Sequence, residues 1–370
     1  MPFKRDAGGP EGPPLRKSAA RFDILPGMRR TTAAVVSLVC ALTTQMASQT
    51  QHPEARISNG QIQARVYLPD AAQGFYRSTR FDWSGAIASL QFQGHEYYNP
   101  WFTGTDPSVR DFVYKDKDII VSAQSAMVGP VEEFRTALGF ATAKAGETFV
   151  KIGIGVLRKP DDARYSGYAN YPIVDSGTWT NRTASDSVDS TQEVNDPASG
   201  YGYVYRKVVR LTPGKPEMTI EHSLKNIGRL PIDTRQYNHN FLVLDKAPTS
   251  ADFVITLPFD IKTTTDLSTQ PATIKGRQIA YTKTLENQER VFFPMQGFGA
   301  TPKDYDVRIE NKAIGAGVRI TSDRPVATMS LWSIRSVISM EPDVDVNVAP
   351  GASMNWKYIY TYYTIPNSAL

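Results

Sequence analysis

From about residue 55 to the C-terminus, apolar and polar positions alternate in short runs interrupted by Gly, Pro, Asn and Asp. Side chains on an extended strand point alternately to its two faces, so a period of two predicts half-buried strands joined by tight turns. The clearest runs are 62–68 (IQARVYL), 149–157 (FVKIGIGVL), 203–211 (YVYRKVVRL), 218–224 (MTIEHSL), 307–309 (VRI) and 356–363 (WKYIYTYY). No stretch keeps apolar residues at helical spacing with caps for more than about two turns. These features predict an all-β protein in which residues 51–370 form a single domain. That many strands exceed a simple sandwich and suit a large antiparallel β-supersandwich. Residues 175–201 are rich in Ser, Thr, Asn and Asp. They read as one long connection, either the rim of a binding site or a plain surface excursion.

The first fifty residues follow a different pattern. Met28-Arg29-Arg30 precedes the uncharged, Ala-, Val- and Leu-rich run 31–42. A basic start and a short apolar stretch are the marks of a secretory signal, and this run is too short to span a bilayer. Residues 28–50 are therefore expected to be a signal peptide, with cleavage after Ala47 or Ser48 and a periplasmic or secreted destination. Residues 1–27 read as a disordered leader or as sequence upstream of a true start at Met28.

Charge and cysteine content narrow the function classes. The first thirty residues hold seven of the 41 Lys and Arg and three of the 37 Asp and Glu, so the remainder carries 34 of each sign. A balanced body lacks the basic footprint of a nucleic-acid binder. Cys40, the only cysteine, lies in the apolar run of the signal, which leaves no disulfide framework and no cysteine-built metal site. No phosphate loop, dinucleotide fingerprint or metal-spaced ligand set is present, and no cofactor or metal is expected.

Candidate chemistry concentrates in two segments. In 233–242 (DTRQYNHNFL), period two places Arg235, Tyr237, His239 and Phe241 on one face. A cation, a phenol and an imidazole together suit a polar cleft, because each needs hydrogen-bond partners if buried. In 338–342 (ISMEP), Ile338 and Met340 point one way and Ser339 and Glu341 the other. Glu341 reads either as an edge charge or as a carboxylate base aimed into the same cleft.

The order of these segments resembles the galactose mutarotase-like, or aldose 1-epimerase, superfamily. The shared features are Asn238-His239-Asn240-Phe241 after a strand and turn, then Met340-Glu341-Pro342, the Pro350-Gly351 turn and a closing aromatic strand. The resemblance implies a galactose mutarotase-like fold, a carbohydrate substrate, His239 as general acid and Glu341 as general base. It further implies that Arg80 and His95 hold sugar hydroxyls; Arg235 and Tyr237, which period two places on the face of His239, are expected to join them at the substrate. The surroundings depart from the family pattern, since His95 is not followed by paired glycines and Arg80 is not preceded by Asn. The substrate-binding aspartate of the family falls at Asp260 or Asp266. Opening a pyranose requires a proton delivered to the ring oxygen while another leaves the C1 hydroxyl, so an acid and a base must flank the sugar. A carboxylate with an ordinary pKa near 4.3 gains as a base from partial burial.

Lesser signals carry weaker expectations. One of Glu132 and Glu133 faces the cleft; His222 is a buried histidine with one partner; Trp83, Trp101 or Trp179 stack on sugar; and Asp343 with Asp345 form at most a poor calcium site. The expected function is an exported enzyme interconverting sugar anomers without a cofactor. The alternatives are a carbohydrate-binding protein without turnover, or a polysaccharide lyase using Tyr237 and Arg235. Carbohydrate is the expected partner, with no nucleic acid and no membrane beyond the export signal.

Overall fold

The computed structural model describes residues 52–366; the leader and signal peptide expected at 1–27 and 28–50 lie outside the described residues. About half of the described residues lie in strands, and the only helical pieces among them are three short 3₁₀ turns. A ten-stranded antiparallel sheet and a five-stranded one form the two main layers, with three small sheets of three or four strands beside them. No helix among the described residues is long and apolar enough to cross a membrane.

The alternating runs become strands at or near the expected places. They are Ile62–Tyr67, Tyr201–Leu211, Glu217–Asn226, Asp306–Asn311 and Ser353–Thr364. Two readings change. The run 149–157 is a hairpin of Thr148–Lys151 and Gly155–Arg158. Gly153 turns the chain at φ +80, where a Cβ would press on Asp82 at 2.8 Å. The polar stretch 175–201 is no loop: Thr178–Thr183 and Ser187–Asp196 pair along their length and extend the ten-stranded sheet. Its buried positions are filled by Ser190, Gln192 and Asp196 as well as Val188 and Val194. Those polar groups hydrogen bond to Asn181, Ser176, Tyr203 and Thr148, which lets a hydrophilic strand bury one face.

The five-stranded sheet positions the site. Its strands run Arg290–Met295, Thr328–Ile334, Val337–Val348, Ile232–Asn240 and Pro130–Phe134 across the sheet. Facing the ten-stranded sheet, Met340, Val344 and Val346 join Leu224, Tyr358 and Tyr360 in the main core. From Gln236 on, the strand Ile232–Asn240 sends amides rather than hydrocarbon into this layer. Trp356 Nε1 and the Tyr358 hydroxyl donate to Gln236 Oε1 at 2.6 and 2.9 Å. Asn238 Nδ2 donates to the hydroxyls of Tyr305 and Tyr360, and the Tyr360 hydroxyl donates to Asn240 Oδ1 at 2.8 Å.

A buried ion cluster ties four segments together. Lys207 Nζ contacts Glu132 and lies 3.1 Å from Asp82, the Tyr205 hydroxyl donates to Asp82, and His222 Nε2 lies 3.3 Å from Glu132. Lys207, Asp82, Glu132 and His222 are all buried. His222 stacks on Trp356 with ring centroids 4.9 Å apart, and Glu132 is its one hydrogen-bond partner. Glu132 points away from the site; its carboxylate is held below the ordinary range by Lys207 and His222 in spite of burial.

Removing the cation from this cluster leaves two carboxylates buried without it. Lys207→Met is expected to destabilise the fold by about 3–5 kcal/mol. Urea denaturation followed by circular dichroism measures this, and an unchanged midpoint would show that the cluster contributes nothing to stability.

Candidate active site

His239 and Glu341 sit on neighbouring strands of the five-stranded sheet. Residues pair from Ile232↔Val348 to Tyr237↔Asp343, and the same register resumes at Leu242↔Ile338. Between these points the ladder opens. The Asn240 side chain fills the gap by donating from Nδ2 to the Met340 carbonyl at 2.8 Å. The Phe241 N–H turns back to the His239 carbonyl at 3.1 Å. The opening lets the imidazole lie along the sheet, where Nε2 is 3.3 Å from Glu341 Oε1 and Nδ1 is 2.7 Å from the Ser339 hydroxyl. The ring also stacks on Phe241 at 3.7 Å. The two groups share one wall of the site; they do not face each other across a cavity.

Above the pair lies a hollow of about 220 Å³. Tyr237, His239, Phe241, Ser330, Trp332 and Glu341 line it from the sheet, while Arg80, Trp101, Asp111, Ser125 and Tyr168 line it from connecting segments. Arg80 is buried, and its loop is fastened on both sides. The Tyr76 hydroxyl accepts from the backbone N–H groups of Arg80 and Phe81, and Asp82 is anchored in the ion cluster. The guanidinium donates to Glu133 at 3.2 Å and lies over the rings of Phe81 and Tyr168. Glu133 in turn meets Lys151, which donates to the Tyr165 hydroxyl. Glu133 thus supports Arg80 and does not line the hollow.

Several expected residues lie elsewhere. Arg235 shares the face of Tyr237 but falls beyond the hollow, half exposed and 3.2 Å from Asp345. Arg135 takes the inner place, bidentate to Asp343 at 3.0 and 3.1 Å and 3.8 Å over the Tyr237 ring. His95 is absent from the site because its short strand pairs with Gln91 and Phe92 in a separate four-stranded sheet, where Nδ1 contacts Asp245 at 2.7 Å. Asp260 and Asp266 are exposed, the first beside Arg277 and the second capping a 3₁₀ turn. The aspartate that lines the hollow is Asp111. Trp83 stacks on Trp179 away from it, so of the three tryptophans only Trp101 lines it, joined by Trp332. Asp343 and Asp345 pair with arginines, and no three metal-ligating side chains gather among the described residues.

The electrostatics of the pair follow from burial and from the two guanidiniums. Burial pushes Glu341 up to about 7, against the pull of the Tyr237 and Ser330 hydroxyls and of Arg80 and Arg135. Burial, Arg80 and Arg135 all push His239 well below the ordinary histidine range. Between the lowered His239 range and about pH 7 the pair therefore holds a single proton, resting mainly on the carboxyl. Burial holds the Tyr237 hydroxyl well above the ordinary phenol range, and Glu341 adds to the effect.

No protein-family model matches the chain, and no curated protein matches it. Solved structures do. A GalM/aldose epimerase homologue from C. elegans is similar with a TM-score of 0.50 at 14% identity, over 85% of this chain and 100% of that one. A galactose mutarotase-like protein from Clostridium acetobutylicum is similar with a TM-score of 0.50 at 10% identity, over 85% of this chain and 96% of that one. The architecture is the galactose mutarotase-like fold.

The guanidiniums favour the carboxylate over the carboxylic acid and disfavour the imidazolium. Arg135→Gln is therefore expected to raise the titration of both Glu341 and His239. The Glu341 carboxyl stretch, identified by difference infrared spectroscopy against Glu341→Gln, checks the first shift. A fall in its midpoint would contradict the assignment.

Proposed function

We propose that this protein is an exported, cofactor-independent enzyme that interconverts the anomers of a sugar, with His239 and Glu341 exchanging protons at the anomeric centre. The observation that carries the reading is the 3.3 Å contact of a buried imidazole with a buried carboxyl, in the wall of a polar hollow that takes one sugar ring. Export rests on the signal-like run at 28–50. The names of the proteins sharing this fold supply a precedent for sugar anomers as substrate.

The ring oxygen and the C1 hydroxyl of a pyranose are bonded to the same carbon. A donor and an acceptor side by side therefore suit this reaction, and no separation across the sugar is needed. The single proton of the pair passes to His239 Nε2 and is delivered to the ring oxygen, while Glu341 takes the proton of the C1 hydroxyl. The ring opens, C1 rotates, and closure on the other face returns both protons. Ser339 holds Nδ1 and fixes the ring plane, a positioning role rather than a chemical one. Arg80, Asp111 and Tyr237 offer donors and acceptors to the remaining hydroxyls. The raised pKa of Tyr237 makes it a poor base, and Arg235 lies outside the hollow, so the eliminative chemistry of a lyase has little support.

The pH dependence follows from the proton count. The active form holds one proton on the pair, and that proton is lost as pH rises through the Glu341 value of about 7. Polarimetry on freshly dissolved single anomers should show acceleration that declines above about pH 7. His239→Ala and Glu341→Gln should each lower it by roughly 10²–10⁴-fold without changing the circular dichroism spectrum. A rate that climbs to a plateau above pH 7 would show that the ionised carboxylate works with an acid other than His239. Full acceleration in either variant would sink the proposal, and a protein that binds sugar without acceleration would be a binding module.

A further inference from the structure

Two large aromatic rings stand exposed at the mouth of the hollow, Phe292 at 44% and Tyr168 at 36%, whereas His239 and Glu341 beneath them are each 5% exposed. Phe292 lies on the edge strand Arg290–Met295, whose inward residues Val291, Phe293 and Met295 are core and whose outward ones are Arg290, Phe292 and Pro294. It pairs with Trp332, which pairs with Ser339, and the register leads on to Phe241. Phe292, Trp332 and Phe241 therefore lie in one row across the sheet, on the face that carries the catalytic pair. Strands are spaced about 4.8 Å apart, so Phe292 is about 10 Å from the Glu341 strand. Tyr168 stands in the same mouth, pinned by the guanidiniums of Arg80 at 4.6 Å and Arg110 at 5.8 Å.

The hollow itself is small. At about 220 Å³ it falls below the ~300–1,000 Å³ of pockets that enclose larger ligands. Phe292 lines the outer part of this hollow, about 10 Å from the Glu341 strand, so a ring seated on His239 and Glu341 is expected to leave it free for a second unit. Only the reducing end of a sugar chain has a free hemiacetal; every other unit is an acetal and cannot open. With C1 at the buried pair, the opposite side of the ring faces the mouth, where a glycosidic bond would leave toward the aromatic rings. Aromatic side chains beside a polar hollow supply the apolar surface on which a sugar ring packs.

We infer that Phe292 and Tyr168 form a second sugar subsite, and that the protein takes the reducing end of an oligosaccharide in preference to a free monosaccharide. The inference rests on the anomeric reading above. It specifies one reducing-end unit in the hollow and a second unit against the exposed rings.

Binding to the full-length protein, followed by tryptophan fluorescence and calorimetry, tests it. The probes are glucose, galactose and mannose against cellobiose, maltotriose, lactose and mannobiose, with Phe292→Ala, Phe292→Ser, Tyr168→Ala and a double variant. At least one oligosaccharide should bind roughly tenfold tighter than its monosaccharide, and the double variant should erase that advantage. Anomer exchange with equal affinity for monosaccharide and oligosaccharide would overturn the subsite and leave the anomeric reading intact. An oligosaccharide preference lost in the variants, without any acceleration of anomer exchange, would keep the subsite and sink the catalytic reading. Binding of no sugar in the panel would overturn both.

Discussion

The whole arrangement depends on how the strand Ile232–Asn240 is held. Its alternate residues Gln236, Asn238 and Asn240 hydrogen bond to Trp356, Tyr358 and Tyr360 on the ten-stranded sheet and to Tyr305 just before its strand Asp306–Asn311. A buried amide left without its partner costs about 1–3 kcal/mol. A slip of one residue would drive three amides out of this layer and force the imidazole into it, because every side chain of a strand changes face together. The clamp therefore sets the face on which Tyr237, His239 and Phe241 stand. Asn240 serves twice, receiving the Tyr360 hydroxyl and bridging the opened ladder to Met340.

Charge is distributed so that the buried pair is not neutralised by a cation of its own. Each guanidinium of the hollow has its own carboxylate, Glu133 for Arg80 and Asp343 for Arg135. This leaves Glu341 without a dedicated cation, and burial dominates its titration. For His239 burial and the guanidiniums act in the same direction. A pair in which one member rises and the other falls shares one proton over a wide pH range, which is the state bifunctional proton exchange uses. The ion cluster of Asp82, Lys207, Glu132 and His222 supports this from below. Asp82 lies two residues from Arg80 and Glu132 next to Glu133, so the same buried charges fix the loop and the strand that carry the site.

Much of the fold was legible as period-two alternation. The runs of 203–211, 218–224 and 356–363 became neighbouring strands of the large sheet. Residues 175–201 were misread because Ser190, Gln192 and Asp196 alternate with Val188 and Val194 on the buried face and dilute the hydrophobic signal; the polar three are buried through hydrogen bonds to other segments, among them Thr148 and Tyr203. At the site, the shared face of Tyr237, His239 and Phe241 was visible, as was that of Ser339 and Glu341. Arg135 was within reach of the same reasoning, since it lies two residues after Glu133 in an alternating segment. Asp111, Ser125 and Tyr168 carry no such mark, because they stand in connecting segments or beside short strands. Arg235 and His95 looked suitable in type and order, but one lies a step too far along its strand and the other belongs to another sheet.

The sequence alone determined that the chain is built of strands, that imidazole and carboxyl each lie on a polar strand face, and that the body is balanced in charge. Alternation carries this information because a residue and its second neighbour share a face whatever the rest of the chain does. Only the tertiary structure decided which of two polar faces opens on the hollow, which arginine stands beside the pair, and that His239 and Glu341 touch. Those outcomes depend on cross-strand register and on loops brought together from distant parts of the chain, and neither leaves a periodic trace in the residues themselves.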